Sequence, residues 1–290
     1  MKCPERISTF LEQIQQAKEA GALGYMARSL VQATMPHSKP EQPYFLRENG
    51  DFSLSMMSNP KFGLPYGSYP RLLMSWITTE AVRTKERELI LGDSLSGFMR
   101  ELGIDVTGGK SGTIKPLRTQ MERLFSCAIS LTFEKENNTV IENMTLVKKA
   151  NLWWNPKAPD QASLFQSTIL LDQDFFTDIT NSPVVFKIDT LKALKQSSMA
   201  VDLYIWITYR NSYAKKPFYV KWEDLQLQFG AGYPMTAQGK ANFKQNFLVA
   251  LKKVAIAYPE AAKIRAEKDA LVFIPGMPDV PKLSGDKSCG

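Results

Sequence analysis

Between Thr236 and Lys268 the chain carries Lys240, Lys244, Lys252, Lys253, Lys263, Arg265 and Lys268 against only Glu260 and Glu267, an excess of five positive charges. The whole 290-residue chain has a formal charge of +7, so most of its surplus sits in this one stretch. Cations at that density neutralise phosphates and release the counterions condensed on a polyanion. Among them stand Asn242, Gln245 and Asn246. Their amides match N6 and N7 of adenine in two parallel hydrogen bonds, so any of the three could read a base edge while Lys240, Lys252, Lys253, Lys263 and Arg265 hold the backbone. A basic face that is merely solvated remains the alternative at this point.

Other chemistry is poorly supplied. His37 is the only histidine and lies in the Pro-flanked MPHSKP, where it reads as a solvated loop residue. A Ser-His-Asp site or a His-rich zinc site needs an imidazole on a rigid element, so the expectation is no enzyme, no metal and no cofactor. Gly103 to Ser111, GIDVTGGKS, comes close to a phosphate-binding loop, but five residues rather than four separate Gly103 from Gly109. Such a loop must also leave a strand, whereas Gly103 follows a helical pattern; a flexible turn is the better reading. Cys3, Cys127 and Cys289 form neither a disulfide framework nor a CxxC pair, which fits a reducing cytoplasm. Charged residues occupy the start of the chain where a signal peptide needs an apolar core, and no apolar run reaches membrane length. The expectation is a soluble cytoplasmic protein with no membrane partner.

The elements that must position the basic stretch occur twice. Arg71 to Val147 and Thr190 to Phe273 each read as a long apolar helix, a short capped helix, a basic amphipathic helix and a β-hairpin. That order outlines a winged helix, whose third helix enters the major groove and whose hairpin touches the backbone. In the first unit Leu72, Leu73, Trp76, Ile77 and Ala81 give the apolar face of a helix begun near Pro70. Asp93 or Ser94 caps the short helix that Gly103 ends. Thr113 caps the third helix, with Ile114, Leu117, Met121, Leu124 and Phe125 inward, Lys115, Thr119 and Arg123 outward, and Arg118 at the edge. Lys115 and Arg123 could meet phosphate or guanine. Residues 128–133 and 143–147 form its hairpin.

In the second unit Thr190 to Arg210 reads as one buried helix, and Trp222, Leu225 and Phe229 mark a short helix ended by Gly230. Thr236 caps a third helix burying Phe243, Phe247, Leu251, Val254 and Tyr258, followed by a hairpin at 264–266 and 271–274. The predicted class is α+β with tandem winged-helix domains. The predicted division is 1–43 as an N-terminal helix (about 5–20) and linker, 44–152 as the first domain, 153–182 as a connection, 183–275 as the second domain and 276–290 as a loose tail. A hairpin around Asn49-Gly50 opens the first domain.

The segment GLPYGSYPRLLMSWITTEAVRTKERELILGDSLSGFMRELGIDVTGGKSGTIKPLRTQMERLFSCAISLT, Gly63 to Thr132, strongly resembles the RepA-type plasmid replication initiators of Gram-negative bacteria. PYGSYPRLL, TEAVRT, the TGG and SGTI pair around Lys110, and QMERLF carry the resemblance, which extends more loosely through Ser182 to Arg210 and KWEDLQLQFG. It implies an initiator that binds repeated double-stranded DNA sites (iterons) at a plasmid origin, helps to open AT-rich duplex and recruits a host initiator and replicative helicase. For DNA contact it points to Lys110, Lys115, Arg118 and Arg123. The monomer–dimer balance is left open, a homodimer included. The competing reading is a winged-helix transcriptional repressor that binds an operator and leaves the duplex closed.

Overall fold

The structure is a computed structural model that describes residues 22–280 except 110, 156 and 164. The expected helix at 5–20, Lys110 and the end of the tail lie outside the described residues. In chain order the elements are β1 (Leu23–Met26), α1 (Arg28–Gln32), β2 (Tyr44–Asn49), β3 (Phe52–Met57), α2 (Ser68–Thr84), β4 (Glu88–Ile90), α3 (Leu95–Glu101), α4 (Ile114–Ser126), β5 (Ala128–Lys135), β6 (Asn138–Thr145), β7 (Val147–Asn151) and β8 (Thr168–Leu171). There follow α5 (Gln173–Asn181), β9 (Val184–Lys187), α6 (Ile188–Ala193), α7 (Ser198–Asn211), β10 (Phe218–Lys221), α8 (Trp222–Phe229), α9 (Ala237–Ala257), β11 (Arg265–Ala266) and β12 (Ala270–Phe273). All the strand pairings are antiparallel, in sheets β1-β9, β2-β3-β5-β6, β4-β8-β7 and β10-β12-β11. The mixed α and β class agrees with the sequence reading.

The second half has a simple plan. Helix α7 is buried on nearly every face, and Trp206 from it meets Phe229 of α8 and Phe273 of β12 edge-on at 5.6 and 5.4 Å. Strand β10 pairs with β12, which also carries the short β11, so the strand between α7 and α8 joins the terminal hairpin. The first half repeats the helix order but not the sheet. Its hairpin β5-β6 pairs with β3, while β4 pairs with β8. Buried residues from Met26 to Phe273 make one continuous cluster.

Several local expectations need correction. Thr190 to Arg210 is two helices, because Leu194 closes α6 and Ser197 begins α7 by accepting a hydrogen bond from the Ala200 N–H at 3.4 Å. The stretch 153–182 is more than a connection: Asp172 caps α5, and Phe175 and Ile179 bury that helix against α2. The first hairpin runs on to Lys135 and Asn138, since β6 is exposed over most of its length and shows no alternation to read. The turn between β2 and β3 is Gly50-Asp51, one residue later than expected, with Gly50 at φ +59° where a side chain is strained. Thr113 does not cap α4 with its side chain; its hydroxyl is taken up by Thr107 and the Asp105 carbonyl.

Candidate nucleic-acid interface

Helix α9 is anchored at its N-terminus. The Thr236 Oγ1 accepts from the Gly239 N–H at 3.1 Å, and Gly239 packs so closely on Pro234 that a Cβ would lie 2.0 Å from its carbonyl oxygen. Phe243, Phe247, Ala250, Leu251 and Val254 face the core. The outward face carries Asn242, Gln245 and Asn246 in its N-terminal half and Lys252 and Lys253 further on, with the apolar Val249 between them. Asn242 Oδ1 accepts from Gln238 at 2.9 Å, and Asn246 donates to the Tyr233 hydroxyl at 2.9 Å, so both amides are oriented before any ligand arrives. The Gln245 side chain is exposed.

The hairpin after α9 is tied to it by a residue that the sequence counted only as charge. Lys244 Nζ donates to the carbonyls of Glu267 and Lys268, both at 2.9 Å, and lies 4.6 Å from the centre of the Trp222 ring. Trp222 Nε1 donates to the same Glu267 carbonyl at 3.1 Å. Lys244 therefore fixes the turn that leaves Arg265 and Lys268 exposed. Lys263 pairs with Glu260 at 2.6 Å, and Lys240 pairs with Glu223. These contacts hold the Glu260 and Glu223 carboxyls below their usual range. Both lysines remain accessible, and exchanging such a surface pair for a phosphate costs little.

In the first unit the expected residues divide. Lys115 is exposed on the first turn of α4. Arg118 is half-exposed and pairs with Glu122 at 3.2 Å. Arg123 is engaged elsewhere: Nε donates to the Phe62 carbonyl at 2.9 Å and the guanidinium lies 5.0 Å from the Tyr66 ring. Together with Gln120, whose Oε1 accepts from the Tyr66 N–H at 2.9 Å, it fastens the loop before α2 to α4. A helical wheel registers that Arg123 leaves the main stripe, but a contact with a loop sixty residues away leaves no local trace.

The two units meet at a buried charge centre, and His37 belongs to it rather than to solvent. Arg71 donates to both carboxylate oxygens of Asp202 on α7, at 2.7 and 2.6 Å, and to the carbonyls of Met35, Pro36 and Gly67. His37 Nε2 lies 2.7 Å from the same carboxylate. Burial lowers the His37 pKa to about 4, leaving a neutral ring that can donate to the acid. Burial alone would raise Asp202, but the Arg71 charge and the hydrogen bonds to it bring the acid below its ordinary value. Two adjoining grooves, of about 350 and 480 Å3, open beside this centre and share Gly67, Ser68 and Gln196. The first reaches Thr113 and Pro116 at the start of α4, the second Asn246, Val249 and Lys253 on α9.

Among the described residues no cluster of His, Cys, Asp and Glu could hold a metal ion, and no helix is long and apolar enough to cross a membrane. Cys127 is buried, and burial pushes its thiol up to about 12.

No curated protein matches the sequence significantly. The fold is similar to the crystal structure of domains 2 and 3 of RctB (residues 155–483), with a TM-score of 0.51 at 10% identity over 86% of this chain and 97% of that one. It is also similar to a selenomethionine derivative of the same two domains, with a TM-score of 0.55 at 9% identity over 87% of this chain and 98% of that one. At such identity the likeness shows the fold alone. The family description "plasmid encoded RepA protein" matches residues 64–222, from the loop that Arg123 fastens through α7 to the first residue of α8. With more than half of its length matched, the chain belongs to the family of plasmid-encoded RepA proteins.

Proposed function

We propose that this chain is a plasmid replication initiator that binds repeated double-stranded sites at an origin through two winged-helix units, opens AT-rich duplex beside them and recruits host replication proteins, without itself catalysing a covalent step. The observation that carries the reading is the outward face of α9, amides in its N-terminal half and lysines beyond, flanked by the anchored hairpin with Arg265 and Lys268. A helix in the major groove is flanked by two backbones, and base edges are read near its N-terminus, so this order of side chains fits that docking. Family membership supports replication as the setting. The grooves joining α4 to α9 support tandem use of both helices along one side of the molecule.

Lys115, Arg118, Lys240, Lys252, Lys253, Lys263 and Arg265 are the proposed phosphate contacts, and Asn242, Gln245 and Asn246 the base readers. Arg123 acts by holding the loop before α2. The site of action is the bacterial cytoplasm, on the plasmid. The test is permanganate reactivity of the AT-rich tract of a supercoiled origin plasmid after addition of the protein. Reactive thymines beside the protected repeats are expected. Protection of the repeats with every thymine unreactive would instead make the protein an operator-binding repressor.

A further inference from the structure

Beside the sheet β4-β8-β7, the segments that follow β7 and precede β8 present an exposed aromatic patch that the duplex reading does not use. Strand β7 is an edge, and along it Lys149, Asn151 and the following Trp153 alternate outward with the strand period, while Leu152 and Trp154 turn to the core. Trp153 is 55% exposed, Phe165 on the returning segment is 61% exposed, and their rings lie 5.1 Å apart. Ile90, at the end of β4 and paired with Thr168, is 53% exposed. The Trp153 N–H donates to Ser167 Oγ at 3.0 Å, so the backbone that displays the ring is fixed.

The two ring planes are tilted at 45° to each other, and burying two such rings is worth more than leaving them wet, so this exposed aromatic patch marks an interaction site. The surrounding charge identifies the partner. The exposed Lys148, Lys149 and Lys157 flank Trp153 in the chain, and no carboxylate occurs between Glu142 and Asp160. Glu88 shares the sheet, and Asp160 is partly offset by Arg100 at 3.6 Å. Flat aromatic faces for bases with lysines beside them for phosphates are the parts of a single-strand platform, and they cannot engage a duplex, whose bases are stacked on one another.

We infer that Trp153 and Phe165, with Lys148, Lys149 and Lys157, bind single-stranded DNA by base stacking. Resting on the initiator reading, this surface holds one strand of the opened duplex while α4 and α9 stay on the repeats. Stacking tolerates any base, so the platform accepts whichever strand the repeats place against it.

The experiment titrates fluorescein-labelled oligo(dT), and separately a duplex carrying the origin repeats, with the full chain. The expected result is that Trp153→Ala/Phe165→Ala binds oligo(dT) about tenfold or more weakly, with duplex affinity unchanged and Trp153→Phe near wild type. Photocrosslinking of bromodeoxyuridine-substituted oligonucleotide to the wild-type chain reads the same contact without a substitution, and is expected at Trp153 or Phe165. Unchanged oligo(dT) affinity in the double variant, no oligo(dT) binding by the wild type, or crosslinks confined to α4 and α9 would each overturn the inference, the first leaving the patch to a protein partner. Failure of the wild type to prefer the repeats over other duplexes would instead sink the initiator reading, and it is scored in the separate duplex arm.

Discussion

Replacing Arg71 with alanine should be among the most damaging single changes in the chain, and the structure gives the reason. The guanidinium is 1% exposed and makes five hydrogen bonds, two to Asp202 on α7 and three to main-chain carbonyls of residues 35, 36 and 67. Its loss leaves the buried Asp202 carboxylate with only the His37 hydrogen bond and the charge of the buried Arg47, and breaking a buried ion pair in this way typically costs about 3–5 kcal/mol. Three carbonyls lose a donor as well, so about 4 kcal/mol or more is expected for Arg71→Ala. The double variant Arg71→Ala/Asp202→Leu removes the buried charge together with its partner and should recover at least about half of that loss. Urea unfolding of the full chain at neutral pH, analysed by linear extrapolation for all four members of the cycle, measures both numbers. A cost below about 1 kcal/mol for Arg71→Ala, or single-variant losses that add within about 0.5 kcal/mol, would refute the assignment of Arg71 as the charge partner that Asp202 requires.

The same centre predicts an acid-sensitive fold. His37 is held near 4 against an ordinary 6.5, so the unfolded chain binds the extra proton between those values; stability is complete above about 6.5 and falls by up to about 3 kcal/mol as pH drops to 4. His37→Gln should flatten that fall, and an unfolding midpoint with the wild-type slope would count against a neutral buried His37. On α9, Gln245→Ala or Asn242→Ala should cost about 1–3 kcal/mol at the native site and relax preference at one base pair, whereas Lys252→Ala or Lys253→Ala should weaken all duplexes alike and lower the salt slope by about one. Amide variants with intact sequence preference beside a lysine variant that loses it would mean that the helix lies the other way round. If both units bind together, Lys115→Ala/Arg118→Ala on α4 and Lys252→Ala/Lys253→Ala on α9 should each weaken binding of the full chain to the repeats, and unchanged binding on loss of either pair would exclude tandem recognition.

What the sequence made legible was local. The face of α9 could be read because a long helix with one aromatic stripe leaves little doubt about its other side, and Thr236 and Gly230 mark its approach. Ser94 and Gly103 delimited α3 for the same reason, the latter adopting φ +69°. Illegible features were those settled by distant partners. The apolar periodicity from Leu191 to Ile207 runs through the break at Ser197, so two helices read as one. Helix α5 was hidden between prolines. The pairing of β4 with β8 rather than with the hairpin follows from a strand eighty residues away. His37 looked solvated because its surroundings in the chain are prolines, while its surroundings in space are Arg71 and Asp202. Trp153 and Phe165 are twelve residues apart, and only the chain's return toward β8 shows that their rings lie side by side.

The most direct test of the account is a titration of the full chain against the native origin repeats and against a scrambled duplex of equal length and composition, across a range of salt. The account predicts tight binding to the repeats at physiological salt, weak binding to the scrambled duplex, and a log affinity that falls linearly with log salt as several phosphates are neutralised. Equal affinity for the two duplexes at physiological salt would contradict it.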